Sequence, residues 1–162
     1  MFNFFKKSAK SADLSLHAMT AGLLKPITAV EDDVFSARMM GDGFAIEPQV
    51  DTIFAPSIGE VISVFPTKHA VTFKLTNGAE VLLHMGLDTV ELEGAPFEIL
   101  VKEGDQVTAE SLVAKMNRRQ IEDSDKATDV ILVVTNSEQF PLPEIQTKDV
   151  QQGEAIGIIK EK

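Results

Sequence analysis

The dipeptide Asn77-Gly78 constrains the fold more than any other feature of this chain. It separates two apolar runs, HAVTFKL at 69–75 and AEVLLHM at 79–85. Asn-Gly is the preferred pair for a two-residue type I′ turn, because both residues tolerate positive φ. The segment is therefore predicted to be a β-hairpin. If Thr76 faces Ala79, paired positions sum to 155. His84 then lies opposite Val71, and His69, two residues before Val71, shares its face. Diagonal neighbours in such a pair are roughly 7–8 Å apart, within reach of two imidazoles leaning together. A three-residue loop would break this parity, so the expectation depends on the turn that Asn-Gly specifies.

The rest of the chain reads the same way. Short apolar runs such as Ile53 to Pro56, Val61 to Phe65 and Ala155 to Ile159 alternate with glycine and proline, the pattern of an all-β sandwich or barrel. A glycine followed by an acid and an apolar strand start recurs at Gly59-Glu60, Gly104-Asp105 and Gly153-Glu154, each expected to turn the chain into a strand. Ser111 to Met116 and Arg118 to Asp125 are expected to hold a helical turn or two, so helix is a minor ingredient. With 162 residues, 44% of them apolar, the chain is long enough for one domain with its own core. Residues 1–16 read as an appended flexible tail before a domain at 17–162. Phe2, Phe4 and Phe5 beside Lys6, Lys7 and Lys10 suit weak contact with an anionic membrane surface, or simply a frayed end.

Composition removes several function classes. There is no cysteine, which excludes a disulfide framework, a cysteine nucleophile and cysteine-based metal sites. A formal charge of -10 repels a phosphate backbone, so nucleic acid is not an expected partner and a basic protein is. No apolar run approaches the roughly 20 residues of a membrane span, and the opening residues lack a secretory pattern, so a cytoplasmic location is expected.

The chain has three histidines, and the hairpin brings two of them, His69 and His84, to one face beside Val71, Phe73 and Leu82. A lone strand histidine commonly has a structural role; a facing pair permits chemistry. A neutral imidazole has one nitrogen free to attack phosphorus, and its neighbour can donate a hydrogen bond. Phosphoryl transfer asks for in-line placement and stabilisation of charge on the equatorial oxygens, which a second imidazole and backbone N–H groups supply, and Gly86 permits close backbone approach. Metal binding is the competing use, but two histidines leave a zinc site short of ligands unless carboxylates complete it.

Three separated blocks in order then carry a resemblance: MMGDGFAIEP at Met39–Pro48, Thr67-Lys68-His69-Ala70, and HMGLDTVEL at His84–Leu92. Together with Gly22, Pro26, Val30, Asp32, Val34 and Phe35 at matching spacings, they make residues 18–160 similar to the glucose-family enzyme IIA of the phosphoenolpyruvate-dependent sugar phosphotransferase system. The resemblance implies a single-domain antiparallel β-sandwich or barrel-like fold, a duplicated hybrid motif with short helices. It implies a phosphoryl carrier loaded by the histidine-containing phosphocarrier protein and unloaded onto the IIB domain of a glucose-type sugar permease. His84 resembles the phosphorylated nucleophile, His69 the ring that hydrogen-bonds the phosphoryl group, and Thr67 the hydroxyl that orients His69. Asp32 and Asp88 match acidic positions that meet the basic phosphocarrier, although ordinary solvated or turn-forming aspartates read alike. Phe35, Phe65, Val71, Met85 and Gly86 are expected around the docking face, with core packing the competing explanation for the apolar ones. No cofactor is required, and a zinc ion bridging His69, His84 and a partner's carboxylate is an option in complexes. Met85 and Leu82 stand where the family often has phenylalanine, and an early proline is missing from 19–22, departures that bear on choice of partner and regulatory target.

Three other classes are weaker. A regulatory module of this fold without transfer would not need both histidines and Thr67. A biotinyl or lipoyl carrier would have to use Lys115, which lacks a flanking turn. A zinc hydrolase would need a further ligand and a general base.

Overall fold

The computed structural model describes residues 13–162, and among these the apolar runs form thirteen strands and two short helices. The strands are β1 Leu14–His17, β2 Gly22–Pro26, β3 Asp42–Pro48, β4 Thr52–Phe54, β5 Gly59–Val64, β6 Ala70–Leu75 and β7 Glu80–Met85. They continue with β8 Phe97–Ile99, β9 Gln106–Val107, β10 Leu112–Met116, β11 Val130–Val134, β12 Lys148–Val150 and β13 Ala155–Ile159. The helices are α1 Asp33–Ser36 and α2 Arg118–Asp123. An eight-stranded sheet runs β12-β2-β3-β11-β7-β6-β5-β9, accompanied by a three-stranded sheet β4-β10-β8 and the pair β1-β13. Neighbouring strands are antiparallel throughout. The large sheet ends at β12 and β9 without closing on itself, so the architecture is a sandwich and not a barrel.

Strand alternation divides the apolar residues between two sides of the large sheet. Val71, Phe73 and Leu75 of β6, Val81, Leu83 and Met85 of β7, and Val130, Leu132 and Val134 of β11 join the main core with Ile53, Phe97, Val113 and Met116 from the smaller sheet. Each such side chain stabilises the fold by about 1.5–3 kcal/mol when fully buried. The opposite face carries a separate cluster, Ala45, Ala70, Leu82, Ile131 and Val133, roofed by Ile27, Val30, Phe35 and Leu87. This second cluster explains why β11 reads VILVV without a polar residue: both of its faces are covered.

The hairpin forms, with a different turn. Gly78 N donates to Leu75 O at 2.9 Å and Leu75 N to Ala79 O at 2.8 Å, leaving a three-residue loop, Thr76-Asn77-Gly78. Of the Asn-Gly pair only Gly78 has positive φ, +101°, whereas a type I′ turn needs it at both positions. Asn77 has other bonds to make: its side chain accepts from Ala79 N at 3.1 Å and donates to Ile159 O at 3.1 Å, tying the turn to β13. The register therefore moves by one residue, and His84 faces Ala70 instead of Val71.

Other expectations need similar adjustment. Leu112–Met116 is not a helical turn but the central strand of the small sheet, where pairing with β4 and β8 overrides the helical preference of Leu, Ala, Lys and Met. Arg118–Asp123 is helical, with Asn117 capping it through a bond from Gln120 N at 3.0 Å. Leu14, Ser15 and Leu16 are not part of a tail: they belong to β1, and Leu16 is completely buried. The phenylalanine and lysine group at 2–10 lies outside the described residues. Of the three glycine-acid repeats, Gly104 and Gly153 turn into β9 and β13 with positive φ, while Gly59 is already the first residue of β5.

Candidate functional site

His84 lies in β7 with Ala70 on one side and Ile131 on the other, so its ring stands on the face that carries the smaller apolar cluster. Three rings meet there. The Phe35 centroid is 4.9 Å from that of His84 at an interplanar angle of 63°, and the His69 centroid is 5.0 Å away at 79°. The histidines meet even though the expected register is wrong. His69 O accepts from Met85 N at 2.8 Å, a pairing that under strict alternation would send the His69 side chain to the inner face beside Met85. His69 escapes that alternation because it belongs to the connection between Phe65 and Ala70, where Lys68 adopts φ +61° and Lys68 N bonds to Phe65 O at 2.8 Å. Phe65 packs its ring edge-on to His69 at 5.4 Å, and Thr67 Oγ1 lies 2.6 Å from His69 Nδ1.

Burial disfavours the charged form of both imidazoles. Burial, followed by the charge of His69, pushes His84 down to about 4, against the weaker upward pull of the Gly86 backbone and of Asp32. Burial lowers His69 as well. His84 Nδ1 is buried without a well-formed hydrogen bond, so the accessible edge of this half-buried ring is its Nε2 side.

The surrounding backbone is fixed by tight turns. Gly86, at φ +80°, donates to Asp129 O at 2.7 Å, and Leu87 N donates to Ala127 O at 3.1 Å. A Cβ at Gly86 would lie 2.4 Å from Thr89 Cγ2, which leaves no room for any other residue. Asp129 also forms an ion pair with Lys25 at 2.9 Å, and Lys25 binds Glu47 at 2.8 Å. Asp32 caps α1, accepting from Val34 N at 2.9 Å and Phe35 N at 3.3 Å, and so holds the Phe35 ring over His84. Asp88 is exposed, in the left-handed region at φ +58°, and opens the 3₁₀ turn Thr89–Leu92.

Two residues expected on the docking face are elsewhere. Val71 and Met85 are completely buried in the main core: the one-residue shift of register pairs Val71 with Leu83 on the inner side, and Met85, next to His84 in β7, points to the face opposite His84 by strand alternation. Gly86 is also buried and serves the turn. Phe35 is buried against His84, and Phe65 is partly exposed. The sequence reading missed Lys68, whose left-handed backbone turns His69 outward, and the clasp from Ala127 and Asp129, for which no local motif exists. It also passed over Val34, Met39, Met40 and Val90 as exposed apolar residues. His17 is in the separate β1-β13 pair, where its Nδ1 is 2.9 Å from Gly153 O. Lys115 is in mid-strand opposite Thr52 and Glu98, not at a hairpin tip. Among the described residues no group of three or more His, Asp or Glu side chains is placed to hold a metal ion.

Fold and site together define a class: an antiparallel β-sandwich that presents a neutral imidazole, backed by a second, on an apolar sheet face. The family described as phosphoenolpyruvate-dependent sugar phosphotransferase system, EIIA 1 matches residues 14–140. The PTS system glucose-specific EIIA component of Staphylococcus aureus (strain COL) is 38% identical over 136 residues, covering 84% of this chain and 82% of that one. The PTS system glucose-specific EIICBA component of Staphylococcus carnosus (strain TM300) is 39% identical over 145 residues, 90% of this chain but 22% of that larger protein. The solved structure of glucose permease IIA from Mycoplasma capricolum superposes with a TM-score of 0.82 at 34% identity, covering 97% of this chain and 99% of that one. The chain belongs to the EIIA 1 family of the phosphoenolpyruvate-dependent sugar phosphotransferase system.

Proposed function

We propose that this protein is a phosphoryl carrier in which His84 Nε2 accepts the phosphoryl group and His69 stabilises it. The observation that carries this reading is the pair of imidazoles in edge-to-face contact, His84 half-buried and His69 buried, with the charged form of both disfavoured by burial. A ring held down to about 4 is deprotonated at neutral pH and needs no base to become a nucleophile. With Nδ1 buried, Nε2 is the ring nitrogen left to attack. In the loading step a P–N bond forms at Nε2 as the P–N bond on the histidine of the phosphocarrier protein breaks, and that bond's electron pair stays with the leaving ring. In the unloading step the group passes to a cysteine thiolate of a IIB domain, forming a P–S bond as the His84 P–N bond breaks. If the Thr67 hydroxyl donates to His69 Nδ1, the His69 Nε2–H points at the phosphoryl oxygens; the 2.6 Å contact suits that role.

The apolar rim of Val34, Met39, Met40, Phe65 and Val90 suits docking of both partners, with Asp32 and Asp88 supplying negative charge towards a basic phosphocarrier. The work belongs in the cytoplasm, and glucose-type permeases are the consumers suggested by the relatives' names. No helix among the described residues is long and apolar enough to cross a membrane. No cofactor enters this mechanism. A divalent cation could bind His69 and His84 in a complex only with a partner's carboxylate completing its ligands.

The deciding measurement is intact mass after incubation with phosphoenolpyruvate and the two general proteins of the system. Wild type should gain one acid-labile phosphate and His84→Ala none, while His69→Gln should take phosphate up but pass it on poorly. An unmodified wild type in the presence of active general proteins would overturn the carrier reading in favour of a binding module.

A further inference from the structure

We propose that Met39 and Met40 form a methionine oxidation site on the docking rim, so that their conversion to sulfoxide slows phosphoryl exchange reversibly. The inference rests on the reading of His84 as the phosphoryl acceptor and adds a chemical modification to the same face. It starts from an inventory of sulfur. The chain has six methionines and no cysteine, so thioethers are its only oxidisable sulfur. Met19, Met85 and Met116 are completely buried in the main core, whereas Met39 is 72% exposed and Met40 40%. Among the described residues an oxidant in solution therefore meets these two sulfurs first. Both also border an open cleft of about 660 Å³, shared with Arg38, Asp42, Asn136 and Gln139, which admits small oxidants.

Their position gives the modification a consequence. Met39 N bonds to Val34 O at 3.1 Å, so the pair continues directly from α1, whose Phe35 ring packs on His84. Met40 precedes Gly41 and β3, whose Gly43 and Asp42 pair with Val133 and Val134 on the strand beside β7. A standard protein interface covers about 800 Å² per partner, wide enough to extend from the histidines onto exposed apolar residues that adjoin α1. A thioether there is soft and apolar and adapts to several partners, while a sulfoxide is polar and carries a strong acceptor oxygen. The reaction with a peroxide is balanced: a sulfur lone pair takes one peroxide oxygen, the O–O bond breaks, and water leaves. Reduction by a dithiol reverses it, yielding a disulfide and water.

The test treats the full chain with hydrogen peroxide, maps the modified peptides by mass, and compares transfer rates before and after treatment. Met39 and Met40 should gain one oxygen each well before Met19, Met85 and Met116. The rate of phosphate uptake from the phosphocarrier should fall about tenfold, the effect of one polar group buried without a partner. Methionine sulfoxide reductase should restore it. In Met39→Leu/Met40→Leu the ratio of treated to untreated rate should stay near one. Oxidation of the buried methionines in step with the exposed pair, or an undiminished rate in the chain modified at both positions, overturns the proposal. An untreated chain that takes up no phosphate overturns the reading of His84 and this proposal with it, an outcome distinct from a chain that works and is insensitive to peroxide.

Discussion

Lowering the pH should expose the cost of burying His84, and the size of the effect follows from its surroundings. The ring's pKa is 6.5 in the unfolded chain and about 4 in the folded one, chiefly through burial. Above 6.5 neither state is protonated, and the full stability of the neutral buried ring is present. Between 6.5 and about 4 the unfolded chain binds a proton that the folded chain refuses, so stability falls as pH falls. At about 1.4 kcal/mol for each tenfold, the whole window is worth roughly 3 kcal/mol, most of it lost by pH 4.5. Urea unfolding at half-unit steps from pH 7.5 to 4.5, on wild type and His84→Gln, separates this contribution from carboxylates common to both. Wild type should lose more stability than the variant by about 2–3 kcal/mol over that range. Part of the difference includes His69, whose pKa burial lowers and whose charge the variant feels differently. In wild type, NMR titration of the His84 ring should give a midpoint near 4, and phosphate uptake should stay flat from pH 8 to about 5. A midpoint at 6 or above, or parallel stability curves for the two chains, would refute the argument that burial controls this ring.

Three further outcomes follow from single contacts. Thr67→Val keeps the β-branched shape but removes the 2.6 Å bond to His69; onward transfer should slow about tenfold, matching a hydrogen bond worth ~1–1.5 kcal/mol, and nitrogen NMR should report a mixture of His69 tautomers. Gly86→Ala places a Cβ at 2.4 Å from Thr89 Cγ2 and 3.1 Å from Ala127 O with φ at +80°, so calorimetry should show destabilisation by at least ~2 kcal/mol. Lys25→Met leaves the Asp129 carboxylate buried without its cation and should cost about 3–5 kcal/mol in chemical denaturation, whereas Lys25→Met/Asp129→Leu should recover most of the loss.

The division between what could and could not be read from the chain has physical causes. Short β-branched runs bounded by glycine are local signals, and they located β4, β5 and β13. The hairpin was also local in origin, but its register depended on Asn77, whose amide is drawn to Ile159, 82 positions away. That distant bond goes with a three-residue loop whose register puts Val71 on the core side, whereas the inward direction of Met85 follows from alternation beside His84 alone. His69 and His84 were found as a pair by parity, yet they meet because Lys68 is left-handed, a conformation that sequence pattern gives little hint of in a lysine. Their chemical roles came from the likeness of three motifs to a family, not from spacing. The clasp of Ala127 and Asp129 on Gly86 and Leu87 is made by backbone atoms, which leave no trace in side-chain identity.

The two apolar clusters on opposite sides of the large sheet touch different audiences. The main core packs the two sheets together, and the smaller one, with Phe35 and Leu82, backs the face on which His84 stands. Because the backbone of β6, β7 and β11 separates them, variation on the outer side leaves the inner packing intact. The exposed Met39 and Met40 belong to neither cluster, so other apolar side chains there leave both packed, while the histidine pair stays anchored to the same strands. In that arrangement the sheet works as a partition between inheritance and innovation.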